Sequence, residues 1–322
     1  MSSRRAFLTR ALLVAAAGGG LFLIRDRLPW PTQEVRFANG RSTPWLPVRT
    51  GVGLIEVDAV VAGRTLPAII DSGAQFTAID RTVAEALDLP RSLSAPMMAY
   101  GVSGGPTLTH TVRFDLELPG LTAPDLRGAV LDLAGVARLA GRDFRLLIGR
   151  DLLRHVVLEA DLANRRTRLV APEAFRAPYD AHSLPIAWRS GAPVARVEVG
   201  DGGAVEALID TGSSNVLAVS ENAAKRLGIL GADAEVRTGR SVSLGGLSLN
   251  RVVTVSRIQV GALPLRGVDV FVYRPNPAAP APEAILGSGL FRRHGMALDL
   301  PGGRLYLSPP GVALAPPPIT RP

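Results

Sequence analysis

The chain has no cysteine, only one lysine (Lys225) and few aromatic residues, which make up 5% of its 322 positions. Without cysteine there are no disulfides, no thiolate metal sites and no thiol nucleophile. With so little lysine, the formal net charge of +8 is carried almost wholly by arginine. Those arginines are scattered singly or in pairs, with no dense run and no aromatic platform between them, which argues against a nucleic-acid partner. The histidines are His110, His155, His182 and His294. His155 and His294 fall at matching places in a repeat described below, which favours a shared structural role over metal binding or general-base work. Gly51-Val52-Gly53 lacks the third glycine and the following helix of a dinucleotide loop. No metal and no cofactor is expected.

What the chain does have is apolar bulk and turn residues. It is 47% hydrophobic and 20% charged, with Gly 34 and Pro 26. That is enough for a sizeable core, and it suits about two β-rich domains better than a helical protein. Ser3-Arg4-Arg5-Ala6-Phe7-Leu8-Thr9, followed by Ala11-Leu12-Leu13-Val14 and a Gly-rich apolar stretch to Ile24, resembles a twin-arginine export signal. Gly18-Gly19-Gly20 is poor helix material, and the run is short for a membrane span. The expectation is a periplasmic protein, released or tethered to the membrane through residues 1–30. Later stretches are too short or too polar to cross a bilayer.

Two matching stretches organise the remainder. Ala68-Ile69-Ile70-Asp71-Ser72-Gly73-Ala74 and Ala207-Leu208-Ile209-Asp210-Thr211-Gly212-Ser213 each carry a carboxylate to the end of an apolar strand. A hydroxyl and then a glycine follow, and the glycine permits a sharp turn with close backbone approach. Each is preceded by a strand and turn, and followed by a short helix, capped by Asp80 in the first half and by Ser220 in the second, with Gly228 as the stop. Gly-rich tips come next, at Tyr100-Gly101-Val102-Ser103-Gly104-Gly105 and Ser243-Leu244-Gly245-Gly246. Alternating strands and a surface-like insertion lead to Leu147-Ile148-Gly149 and Ile285-Leu286-Gly287.

Spacing makes these a duplication. Asp71 to Gly149 is 78 residues and Asp210 to Gly287 is 77, while Gly149 to Asp161 and Gly287 to Asp299 are both 12. A common offset of 138 to 139 residues predicts two similar β domains about a pseudo-twofold axis. The expected layout is a linker at 31–47, domains at 48–175 and 184–310 joined by a linker at 176–183, and a disordered tail at 311–322. Two aspartates brought to such an axis cannot both ionise easily, so one keeps a proton; acid and base then flank a single water.

At this point the sequence resembles the retropepsin and pepsin clan of aspartic proteases over most of residues 50–310. Asp71-Ser72-Gly73-Ala74 looks like the retroviral form of the motif, and Asp210-Thr211-Gly212-Ser213-Ser214-Asn215 is similar to the N-terminal motif of pepsins. Leu147-Ile148-Gly149-Arg150 and Ile285-Leu286-Gly287-Ser288 match the clan's apolar-apolar-glycine strand. The resemblance implies an all-β fold of two retropepsin-like barrels with a cleft between them, built within one chain. It implies Asp71 and Asp210 as the catalytic pair, Ser72 and Thr211 as a hydroxyl network, and Gly73, Gly212 and Ser213 as turn supports. It also implies flaps at Tyr100, Gly101, Gly104, Gly245 and Gly246, and a peptide or protein as substrate. Ser213, where the first half has Ala74, is expected to donate to Asp210 and keep it the ionised partner.

Other readings compete. Gly101-Val102-Ser103-Gly104-Gly105 matches a serine-hydrolase elbow, but the elbow needs a following helix and Pro106 to Leu118 reads as a strand. Arg150-Asp151 is read as a local ion pair, absent from the second half, which has Ser288-Gly289 there. The rival of a different class is an exported binding or scaffold protein that keeps the fold without cleaving.

Overall fold

The computed structural model of the chain describes residues 11–16, 19–24, 32–49, 53–92, 97–101, 107–231, 234–243, 246–275 and 281–312. The fold is all-β, and each half builds its own closed sheet. In the first half, Thr111–Leu118, Glu56–Val61, Arg64–Ile70, Leu146–Ile148, Ala78–Asp80 and Leu121–Leu131 are neighbours in that order, and Thr111–Leu118 also pairs with Leu121–Leu131 to close the ring. The second half repeats the circuit with Ala192–Val199, Ala204–Asp210, Ala284–Gly287, Leu217–Ser220, Leu263–Tyr273 and Gly246–Val260, closed by Ala192–Val199 on Gly246–Val260. Closing each sheet removes most of its exposed edges, and the alternate residues turned inward form the core.

The short helices start where the caps predict. Asp80 accepts from the Thr82 amide ahead of Arg81–Ala86, and Ser220 accepts from the Ala223 amide ahead of Glu221–Arg226. Gly228 follows the second helix at a φ of +68°, a left-handed conformation that glycine adopts without strain.

A third sheet joins the halves. Its order is His182–Pro185, Arg304–Leu307, Met296–Asp299, Val157–Asp161, Arg166–Val170 and Leu46–Pro47. The central pair is antiparallel, with Val157 opposite Asp299 and Ala160 opposite Met296. These are the two closing hairpins of the duplication, and pairing one with the other places the pseudo-twofold axis between them.

Some expectations need correcting. The segment 31–47 is not simply a linker: Arg36–Phe37 and Leu46–Pro47 add edge strands, and Leu46 is buried in the core. The linker at 176–183 likewise ends inside a strand, since His182 and Ser183 pair with Leu307 and Tyr306. The first half's surface-like insertion is in fact the largely buried strand Leu121–Leu131 and the helix Leu133–Leu139, whose Asp132 cap accepts from the Gly135 amide. Alternation is lost near Leu126–Leu131 because that end of the strand is covered on both faces. Within the N-terminal segment, Ala11–Ala16 and Gly19–Ile24 form a hairpin whose second strand pairs with Met97–Gly101. Among the described residues, no helix is long and apolar enough to cross a membrane. Most of the 311–322 tail lies outside the described residues.

Candidate active site

Each aspartate is delivered by a central strand that cannot shift. Ala68, Ile69 and Ile70 run parallel to Leu146, Leu147 and Ile148, and the Asp71 amide donates to the Ile148 carbonyl at 2.9 Å. In the second half Ala207 to Asp210 run parallel to Ala284 to Gly287. All of these residues are buried. The glycines that end the neighbouring strands are required by close packing. A Cβ on Gly149 would lie 2.5 Å from the carbonyl carbon of Phe76, and one on Gly287 would lie 2.3 Å from the Asn215 carbonyl oxygen. The loop after each aspartate therefore passes directly over a bare backbone.

The turns themselves match. The Ala74 amide meets the Asp71 carbonyl at 3.2 Å, and the Ser213 amide meets the Asp210 carbonyl at 3.2 Å. Gly73 and Ala74 amides donate to Asp71 Oδ1 at 2.9 and 3.0 Å, and the Gly212 amide donates to Asp210 Oδ1 at 2.9 Å.

The hydroxyls next to the aspartates bind the turns to one another. Ser72 Oγ donates to the Ile209 carbonyl at 2.8 Å and accepts from the Thr211 amide at 3.0 Å. Thr211 Oγ1 donates to the Ile70 carbonyl at 2.7 Å and accepts from the Ser72 amide at 2.9 Å. Each hydroxyl thus serves once as donor and once as acceptor across the axis, and no polar atom of the network is left over. This reciprocity brings Asp71 and Asp210 close enough to act on each other's ionisation.

Both carboxyls are fully buried. Burial, and then the charge of Asp210, hold the Asp71 carboxyl well above the usual carboxylate range. Burial pushes Asp210 up to about 7, against hydrogen bonding from Asp71, donation from the Gly212 amide and the positive charge of Arg150. With both groups ionised, Oδ2 of each would be buried without a donor. One proton kept between the two carboxyls removes the repulsion of two buried charges.

Among the described residues the expected hydroxyl contact from Ser213 to Asp210 is not made; the Ser213 backbone amide contributes instead, as the Ala74 amide does for Asp71. The inequality of the halves lies elsewhere, after the glycines. Arg150, fully buried, donates from Nη1 to the carbonyls of Ser72 and Gly73 at 3.0 and 3.2 Å. Asp151 turns away from that contact: its carboxylate accepts from the Thr77 amide and hydroxyl, each at 2.9 Å. The expected local pair is therefore a buried scaffold beneath the first turn. At the matching place Ser288 donates from its amide and its hydroxyl to the Ser213 carbonyl, both at 2.7 Å.

Of the flap positions, Tyr100 and Gly101 lie in the strand Met97–Gly101, and Gly246 begins Gly246–Val260 with a φ of +96°. Gly104 and Gly245 lie outside the described residues, as do Val102 and Ser103 of the elbow-like motif. Val242, at the end of the second hairpin's strand Val236–Ser243, is buried in one cluster with Leu54, Ala74, Phe76 and Ala99 of the first half. The second hairpin therefore crosses onto the wall beside Asp71, a contact the sequence pattern did not reveal.

The aspartyl protease family model matches the chain twice, at residues 57–152 and 195–290, together more than half its length. The chain belongs to the aspartyl protease family. Each match opens on a strand that precedes one aspartate turn and closes just beyond the paired glycine, so the family's unit is the repeat itself. No curated protein matches the chain. Among the described residues of this aspartyl protease homologue, no cluster of acidic residues and histidines is placed to hold a metal ion.

Proposed function

We propose that the protein is an aspartic endopeptidase in which Asp71 and Asp210 activate one water to hydrolyse a peptide bond. The observation that carries this reading is the pair of fully buried, mutually interacting carboxyls, each with an Oδ2 that has no donor. In this reading ionised Asp210 takes a proton from the water as its oxygen attacks the carbonyl carbon. Asp71 gives its proton to the carbonyl oxygen, and a neutral geminal diol forms. In the collapse a diol hydroxyl returns a proton to Asp71, the C–N bond breaks, and the amine nitrogen takes the proton held by Asp210. The pair ends in its starting protonation state, with no charge built up in a buried site.

Access requires movement, because the carboxyls are shut off from solvent. The hairpins bearing Tyr100-Gly101 and Gly246 are the segments whose opening would admit an extended peptide, and Ser72, Gly73, Thr211, Gly212 and Ser213 keep the aspartates in register while they do. The export-type N-terminus fits a periplasmic site of action. Incubating the purified chain with a mixed peptide library, with and without a statine-type inhibitor, tests the reading. Inhibitor-sensitive cleavage is expected, and its absence would favour a non-cleaving scaffold.

A further inference from the structure

The two halves match in their backbone turns, their hydroxyl network and their glycines, yet among the described residues only the first has a buried cation beneath its aspartate turn. Arg150 is among the largest fully buried side chains of the molecule. Its amide donates to the Ala74 carbonyl at 2.8 Å, as the Ser288 amide donates to Ser213, so Arg150 and Ser288 occupy equivalent places. Ser288 ties down one turn carbonyl with a neutral hydroxyl, whereas Arg150 ties down two with a guanidinium. The second half holds its turn carbonyl without a buried charge, so holding a turn carbonyl does not by itself call for one. Burying a guanidinium is costly unless a negative charge lies near it.

We propose that Arg150 is a positioning residue of the aspartate pair: from one side only, it fixes the Ser72–Gly73 turn and supplies the buried positive charge that balances the single negative charge of Asp71 and Asp210.

The charged groups around it fit this arrangement. Burial and the neighbouring Arg154 lower the guanidinium to about 9, while Asp71, Asp210 and Asp151 support its charge, so it stays cationic at neutral and acid pH. Arg154 is exposed, donating to the Gly191 carbonyl at 3.0 Å and stacking 4.9 Å over the Trp188 ring. Asp151 is pushed up by burial to about 6, against donations from Thr77. The aspartate pair, in its singly ionised form, is the further anionic partner that the catalytic turn sets against Arg150.

This inference rests on the peptidase reading, and its test separates the two. Arg150→Gln keeps a donor for the turn carbonyls but loses the charge; Arg150→Lys keeps both. Without the cation the singly ionised pair is less stable and is protonated more readily. The acid limb of the kcat/KM profile should therefore move to higher pH by about 1 unit or more in Arg150→Gln, and by less than about 0.5 unit in Arg150→Lys. KM should change little, because Arg150 does not touch substrate. Infrared titration of the protonated carboxyl band, taken as the difference from the matching Asp71→Asn chain, follows the same ionisation without turnover. If the unsubstituted chain cleaves nothing, the peptidase reading falls and the infrared shift still decides the role of Arg150. A Gln limb that coincides with the parent's, a Lys limb displaced as far as the Gln limb, or failure of both variants to fold would overturn the proposal.

Discussion

Asp71 and Asp210 each offer one oxygen to backbone amides and leave the other buried without a donor. This arrangement has a stability consequence with a definite sign. A buried carboxyl whose folded pKa lies above its unfolded value binds more protons in the folded state between the two values, so stability falls as pH rises through that window. For Asp210 the window runs from the ordinary aspartate range up to about 7. Asp210→Asn, which stays neutral, should match the parent's melting temperature near the ordinary aspartate pKa of ~4 and exceed it by a few degrees at neutral pH. Melting curves at both pH values check this; a variant less stable than the parent at neutral pH would contradict the burial of a charged pair. At this scale the sequence disclosed much. The aspartates, hydroxyls and turn glycines were all legible from type and spacing. Arg150 was not, because a charged residue beside another of opposite sign reads as a surface pair; only its matched position, after an apolar strand and glycine in both halves, could have flagged it as buried.

At the scale of elements, the aspartate turns depend on strands they barely touch through side chains. The φ values at Gly149 and Gly287 are −93° and −101°, open to any residue, so glycine is needed there for space alone. Gly149→Ala would force its Cβ against the Phe76 backbone, which cannot give as a flexible side chain could. The loop carrying Asp71 should be displaced, with stability reduced by roughly 1–3 kcal/mol and activity reduced more than tenfold. Denaturant unfolding and initial rates measure the two effects, and a variant with parental values of both would refute the close-approach argument. The alternation of Thr111–Leu118 was readable, but that of Leu121–Leu131 was not, because burial on both faces removes period-two patterning. Arg36–Phe37 and Leu46–Pro47 are not legible in the sequence, because edge strands of a few residues among prolines carry almost no periodic signal.

On the scale of the whole molecule, the halves share a sheet, a hydroxyl network and a buried cluster reached by Val242. They should therefore unfold as one unit, with calorimetric and van't Hoff enthalpies in agreement. Ser72→Ala and Thr211→Ala each strand the opposite amide and carbonyl in a buried setting, at a cost of about 1–3 kcal/mol. Because both hydroxyls serve one network, the double variant should lose less than the sum of the singles. Additive losses, or two separate melting transitions in the parent, would show that the network does not couple the halves. The 138 to 139 residue offset foretold this symmetry. It could not foretell that the halves meet through their closing hairpins, since pairing between distant strands leaves no mark in local pattern.

The central claim is that Asp71 and Asp210 act as one acid–base pair on one water. Initial rates on inhibitor-sensitive peptides, measured for the parent and for Asp71→Asn and Asp210→Asn chains from about pH 3 to 8, test it most directly. Each substitution alone should abolish turnover, by about three orders of magnitude or more, while the chain remains folded and its melting temperature is preserved or raised. If either single variant cleaved at a near-parental rate, the shared-water mechanism would be wrong.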